Sequence, residues 1–312
     1  MAAVDQHGAA VGAHRRHASR RFAYVPWMFL LPWMIGLVGI TLGPMIASLY
    51  LSFTDYSLLG DPHWIGVQNY VELFTDDPRF LAAAQVTLTY VIIGVPLQLA
   101  LALGIAVILN RGLAAMSFYR SAYYLPSLLG SSVAVALLWR QIFGSDGLVN
   151  VVLRLLGWAN PPNWIATPDH ALGTLIALHV WTFGSPMIIF LAGLRQVPKD
   201  LYEAADVDGA NAWTKFWRIT IPMITPVIFF NSILQMISAF QAFTQAYVVS
   251  GGQGGPVNST LFYSLYLYRQ AFLNFHMGYA AAMAWVLFIV IALFTWLAFS
   301  TSGRWVYYEG GQ

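Results

Sequence analysis

The densest cluster of reactive side chains lies between two apolar runs. Between positions 199 and 215, Glu203, Asp206 and Asp208 are interleaved with Ala204, Ala205, Gly209 and Ala210, and Lys199, Asp200 and Lys215 flank them. Small side chains let another surface approach closely, and carboxylates offer it hydrogen-bond acceptors, so this pattern suits docking. A second set of polar residues is uncharged. Asn231, Gln235, Ser238, Gln241 or Ala242, and Gln245 recur at steps of three to four in an otherwise apolar run, which keeps them near one helical face. Amides and hydroxyls beside aromatic rings suit hydrogen bonding to a neutral polyol. Neighbouring apolar runs add Thr87, Thr89, Tyr90 and Gln98; Ser127, Ser131 and Ser132; and Thr174, His179, Thr182 and Ser185 with Trp181. Each of these is equally compatible with interhelical hydrogen-bond glue, and His179 alone reads as a satisfied structural histidine.

Other chemistries lack their residues. The only lysines, Lys199 and Lys215, stand outside any Gly-x-x-x-x-Gly-Lys-Ser/Thr context, so the chain has no phosphate-cradling loop of the P-loop kind and no ATPase site of its own. The glycine-rich run Gly251–Gly255 lacks the following Lys-Ser/Thr. Cysteine is absent, which removes disulfides and thiolate chemistry. No Ser/His/Asp set, carboxylate pair or His-x-x-x-His motif falls where a pocket could form. A net charge of +2 gives nucleic acid no electrostatic foothold. Ion-coupled carriers commonly place ionisable residues or broken helices at the midplane; no Asp, Glu, Lys or Arg lies well inside an apolar run here.

The elements that must carry these residues are set by hydropathy. The chain is 58% hydrophobic and 9% charged, against about 25% charged residues in soluble domains. A spanning helix needs about 20 apolar residues. Six runs qualify: 24–51, 82–109, 117–139, 172–194, 219–249 and 277–300. The first follows a basic stretch, but its apolar run is about twice the usual 7–15 residues of a signal sequence, so it reads as an uncleaved span. The expected fold is an all-α membrane protein with six transmembrane helices. Its parts are a basic tail at 1–23, the first span at 24–51, a loop at 52–81, a five-helix core at 82–300 that contains the loop 195–222, and a tail at 301–312.

Positive charge sets the orientation. Arg15, Arg16, Arg20, Arg21, Arg111, Arg120, Arg195, Lys199, Lys215, Arg218 and Arg304 fall at one end of a six-span topology; Arg79, Arg140, Arg154 and Arg269 fall at the other. Arg and Lys accumulate on the cytoplasmic side, so both termini are expected there. The loops 52–81 and 140–171, longer than ordinary helix connections, then face outward, either capping the helix ends or meeting an extracytoplasmic partner.

In the loop 195–222, Pro198 stops the preceding helix. Asp200 and Glu203 have capping-box spacing with Asp in place of Ser/Thr, and Gly209 suits a helix end that needs a left-handed residue. Ala212, Trp213, Phe216 and Trp217 follow as a second helical turn before Pro222. Pattern alone is equally satisfied by an interfacial amphipathic helix.

The motif itself is more specific. Glu203-Ala204-Ala205, Asp208-Gly209-Ala210, Phe216, Ile219 and Pro222 resemble the EAA loop of permeases of binding-protein-dependent ABC importers, with Ile221 where Leu is usual. Trp64-Ile-Gly-Val-Gln-Asn-Tyr70, Leu73-Phe74, Asp77-Pro78, Tyr119-Arg120, Leu125-Pro126 and the turn ending in Pro256 are similar to the carbohydrate-uptake group of these permeases, the group of the larger maltose permease subunit. The resemblance implies a coupling helix in which Glu203, Ala204, Ala205, Asp208, Gly209 and Ala210 contact a separate ATPase. It implies a sugar path lined by the third to fifth spans, placing Ser131, Thr182, Gln235, Ser238 and Ala242 there, beside Asn231 and Gln241 of the amide stripe. It further implies a second permease subunit, two ATPase copies, an extracytoplasmic substrate-binding protein and residence in a bacterial plasma (inner) membrane. No cofactor is expected on this chain; ATP and Mg belong to the ATPase. Another small polar solute, such as a glycerol-phosphodiester, a carrier working without an ATPase, or a docking scaffold are the competing readings.

Overall fold

The computed structural model describes residues 25–111 and 116–307, so most of the two tails named above lies outside the described residues. Within them the chain is helical, with two isolated β-bridges and no strand. The first span is α1 (Val25–Gly36), a π-helical stretch (Leu37–Leu42) and α2 (Gly43–Leu51). A short α3 (Gln68–Thr75) precedes α4 (Pro78–Asn110), the longest helix. The third predicted span is α5 (Met116–Leu129) and α6 (Val133–Ile142), followed by a loop helix α7 (Leu148–Leu155). The fourth is α8 (Pro168–Trp181) and α9 (Gly184–Leu194). The loop after it carries α10 (Lys199–Val207), α11 (Ala212–Lys215) and a π-helical stretch, Phe216–Thr220. The fifth span is α12 (Ile221–Met223), α13 (Thr225–Phe240) and α14 (Thr244–Val249). Finally α15 (Tyr263–Tyr268), continued by π-helical Arg269–Leu273, leads to α16 (Met277–Ser302).

Among the described residues four helical segments are long and apolar enough to cross a membrane, and six if α5–α6 and α8–α9 each count as one bent span. Those pairs turn by 96° and 41° at their breaks. The third, fourth and fifth apolar runs are thus interrupted helices, broken at 130–132, 182–183 and 241–243.

α4 is the axis. Asp77 caps it, its Oδ1 accepting from the backbone N–H of Arg79 (3.0 Å) and Phe80 (3.1 Å), and Pro78 at the first position needs no N–H partner. At 1.5 Å per residue α4 outreaches a hydrocarbon core of about 30 Å, so it projects at an end. Its two halves serve separate apolar cores. Tyr90, Val91 and Val95 pack with Phe240, Phe262, Leu265 and Met283. Ala102, Ala106 and Leu109 pack with Met187, Phe190, Leu191 and Ile224. Gln98, 1% exposed, sits between them.

At the capped end, the Asp77 carboxylate also ties three elements together. Its Oδ2 accepts from the phenols of Tyr266 (2.7 Å) and Tyr279, and Gln270 Nε2 donates to the Tyr266 oxygen (2.7 Å). Burial first, and then the Asp77 carboxylate, push the Tyr266 phenol well above the ordinary tyrosine range, so it stays a donor. An Asp77→Asn protein has one acceptor where two are used. It should lose about 1–2 kcal/mol, read as a lower thermal midpoint of the purified protein. Nearby, Gly278 donates its N–H to Tyr56 O (2.9 Å), and a Cβ there would overlap the Thr54 carbonyl. A close backbone approach thus fixes the first span to the last.

Candidate functional site

The breaks in the third, fourth and fifth spans meet. Gly130 and Ser131 from the first break, Thr182 from the second, and Gln241, Ala242 and Phe243 from the third all line one cavity of about 420 Å³. It lies between the two apolar cores, at the level of Gln98. Interrupted helices leave carbonyls without intrahelical partners, and these must be satisfied in an apolar surrounding. Pro186 has no N–H for the Thr182 carbonyl four residues before it. Ser127 Oγ donates to that carbonyl at 2.7 Å and accepts from Ser185 N at 2.8 Å. Gln98 Nε2 reaches His179 O (3.0 Å), Thr182 O (3.3 Å) and Thr182 Oγ1 (3.0 Å). Gln245 Nε2 donates to Gly130 O at 3.1 Å. These residues brace the breaks.

The remaining lining is unengaged. Ser131, Gln235, Ser238 and Gln241 make no side-chain hydrogen bond among the described residues, and all four face the cavity. Two buried polar atoms of residues that line it also lack partners, Gln98 Oε1 and His179 Nε2. The His179 ring packs on Tyr90 with centroids 5.0 Å apart. Among the described residues no Asp, Glu, Lys or Arg lines the space. The arrangement can exchange neutral hydrogen bonds with a polar solute, with the Tyr90 and Phe243 rings as apolar faces.

Six of the seven residues expected here are brought together: Ser131, Thr182, Gln235, Ser238, Gln241 and Ala242. Asn231 is not among the lining residues. It is fully buried one turn away, where α13 packs on α9, and its Nδ2 lies 3.4 Å from Pro186 O. Gly130, Pro186, Ala239, Phe243 and Thr244 complete the wall. Sequence reasoning passed over the first four because polarity was the signal followed, and over Thr244 because it falls outside the three-to-four-residue steps of the stripe.

The acidic loop forms two short helices joined at Gly209. α10 begins with Pro198 at its cap position, and Asp200 falls in the first turn without a side-chain cap bond. The expected capping box does not form, because Pro198 starts the helix early and Asp200 is already inside it. At the other end Gly209 has φ +74°. Its N–H donates to Asp206 O (3.1 Å) and that of Ala210 to Ala205 O (2.9 Å), the paired bonds of a Schellman turn. Asn211 then caps α11 by accepting from Thr214 N at 2.8 Å, a start signal the sequence reading missed. Lys215 Nζ lies 2.6 Å from Asp206 Oδ1 across the turn, while the Asp206 side chain stays 62% exposed. Glu203, Ala204, Asp208 and Gly209 are exposed, while Ala205 and Ala210 are half-buried. Tyr202 and Thr220 hydroxyls, 2.9 Å apart, hold α10 to the entry of the fifth span.

The family described as binding-protein-dependent transport system inner membrane component matches residues 15–304. The probable ABC transporter permease protein YesP of Bacillus subtilis (strain 168) is 52% identical over 286 residues, covering 92% of this chain and 93% of that protein. The lactose transport system permease protein LacF of Rhizobium radiobacter is 35% identical over 279 residues, covering 88% and 92%. Among solved structures, the fold is similar to a chain of a bacterial alginate ABC transporter in complex with an alginate pentasaccharide-bound periplasmic protein. The TM-score is 0.77 at 23% identity, covering 91% of this chain and 96% of that one. A bent-helix bundle with this family match over nearly its whole length belongs to the inner membrane components of binding-protein-dependent transport systems.

Proposed function

We propose that this chain is one of two permease subunits of an ATP-driven importer and that its cavity carries a neutral sugar or oligosaccharide. The observation that carries the cargo reading is the lining: unengaged amides and hydroxyls, aromatic faces and no ionisable group except His179 and Tyr90. A volume of about 420 Å³ falls within the ~300–1,000 Å³ of small-molecule sites. A relative named for lactose transport supports a saccharide, and an uncharged wall favours a neutral one over an acidic one.

In this reading both termini and the α10–α11 loop face the cytoplasm, as the charge distribution suggests. The exposed face of Glu203, Ala204, Asp208 and Gly209 docks on a separate ATPase subunit, with Ala205 and Ala210 beneath it. A binding protein delivers the sugar to the opposite face. ATPase closure moves α10, and the hydroxyl contact between Tyr202 and Thr220 passes that movement to the fifth span, which carries most of the cavity's free polar groups.

The test is a Gln235→Ala/Gln241→Ala double variant in the assembled complex. Each amide lost from the wall should remove about 0.5–1.5 kcal/mol of hydrogen bonding. Sugar-stimulated ATPase should then need roughly tenfold more sugar-loaded binding protein for the same rate, with basal ATPase unchanged. Unaltered stimulation across a sugar panel refutes the cavity assignment. Broken helices also occur in ion-coupled carriers. Uptake that persists in vesicles lacking nucleotide and ATPase would favour that reading.

A further inference from the structure

A second cleft, of about 380 Å³, opens between the last turn of α4 and the α10–α11 loop. Val107, Leu194 and Phe216 give it apolar walls, Arg111 and Lys215 give it two cations, and Trp213, 70% exposed, also lines it. Arg111 directly follows α4 and enters no ion pair among the described residues. Lys215 holds Asp206 with one of its three donors, and its side chain keeps 22% exposure.

The cleft is thus amphipathic. A water-soluble phosphate would use the two cations and leave three apolar walls wet. A phospholipid satisfies both parts, its glycerol and upper acyl carbons lying along Val107 and Leu194 and its phosphate meeting Arg111 and Lys215. Basic pockets between spanning helices take anionic headgroups, and Trp is enriched at the depth where headgroups lie.

We infer that this cleft seats an anionic phospholipid of the leaflet on the α10 side, a placement that rests on the orientation proposed above. The headgroup shares Lys215 with Asp206. Membrane charge thereby bears on the clamp that joins α10 to α11.

The assembled complex, in nanodiscs of mixed phosphatidylglycerol and phosphatidylcholine, would be stripped in detergent and weighed by native mass spectrometry. Phosphatidylglycerol should stay bound after phosphatidylcholine has gone. Arg111→Gln should reduce its retention about fivefold, the worth of one cation near a lipid phosphate, and Arg111→Lys should restore most of it. Equal loss of the two lipids overturns the assignment. So does unchanged retention in R111Q, or displacement of the lipid by low-millimolar inorganic phosphate, which would mark a soluble-anion site. The wild-type comparison decides the matter even if R111Q fails to assemble. Retention is read by mass, so it stands or falls independently of whether sugar is carried.

Discussion

Gly209→Val should cut uptake by about tenfold or more while leaving the chain inserted and its cavity intact. At φ +74° a β-branched side chain is strained by roughly 1–2 kcal/mol. The chain can relieve that strain by leaving the left-handed region, and then the bonds from Gly209 to Asp206 and from Ala210 to Ala205 cannot both persist. The direction in which α11 leaves α10 changes, and Lys215 is carried away from Asp206. If α10 is the ATPase contact, the loss is one of transmission. ATP hydrolysis should continue at or near its basal rate, and stimulation by sugar-loaded binding protein should vanish. Gly209→Asn, which tolerates the left-handed region, should keep most of the uptake. Normal stimulation in the Val variant would refute the role given to this turn.

Gln98→Leu should lower stability by about 0.5–1.5 kcal/mol and reduce uptake with it. The Gln98 amide serves three acceptors at the break in the fourth span from a position 1% exposed. Leucine fills a similar volume but removes a shared donor from both carbonyls. His179 O keeps the Thr182 N–H (3.1 Å) and hydroxyl (2.7 Å), so what is lost is the net worth of hydrogen bonds rather than the larger cost of an unsatisfied buried group. Ser127 still reaches the Thr182 carbonyl, so the break should loosen rather than collapse. The expected readout is a lowered thermal midpoint of the complex together with weaker sugar stimulation. Thr182→Val removes only one of the three acceptors and should lie between. A Gln98→Leu variant as stable as the parent would mean that the break is braced elsewhere.

The six apolar runs were legible because each is long and nearly free of charge, and because the polar residues within them keep helical spacing. Ser131, Thr182, Gln235, Ser238, Gln241 and Ala242 share a cavity as that spacing and the motif distances suggest. Asn231 keeps the spacing but lies a turn away from the breaks, where two helices close on each other. The breaks themselves were illegible to a hydropathy average, which does not register whether a backbone carbonyl has a donor. Two had local signs. Pro126 precedes the Gly130-Ser131-Ser132 break, and Pro186 denies Thr182 its helical partner. The third, at Gln241-Ala242-Phe243, has neither Pro nor Gly; beyond it α14 packs against α6. In the loop, Gly209 was legible because left-handed geometry has one inexpensive residue. The role of Asp200 was not, because Pro198 could both end one helix and begin the next.

The Gly278 contact has a bearing on biogenesis. The window that marks the first span buries none of its residues, and its hydrogen-bonded hold on the last span is the junction of Tyr56 and Ser57 with Gly278 and His276. The two sides of that junction lie near opposite ends of the polypeptide. At about 5–20 residues per second, the first helix waits in the bilayer on the order of ten seconds before the strip it docks on has been synthesised. Its early release and late capture make α16 the latch of the assembly, and a chain truncated before Gly278 would lose the last span and leave the first without that hold.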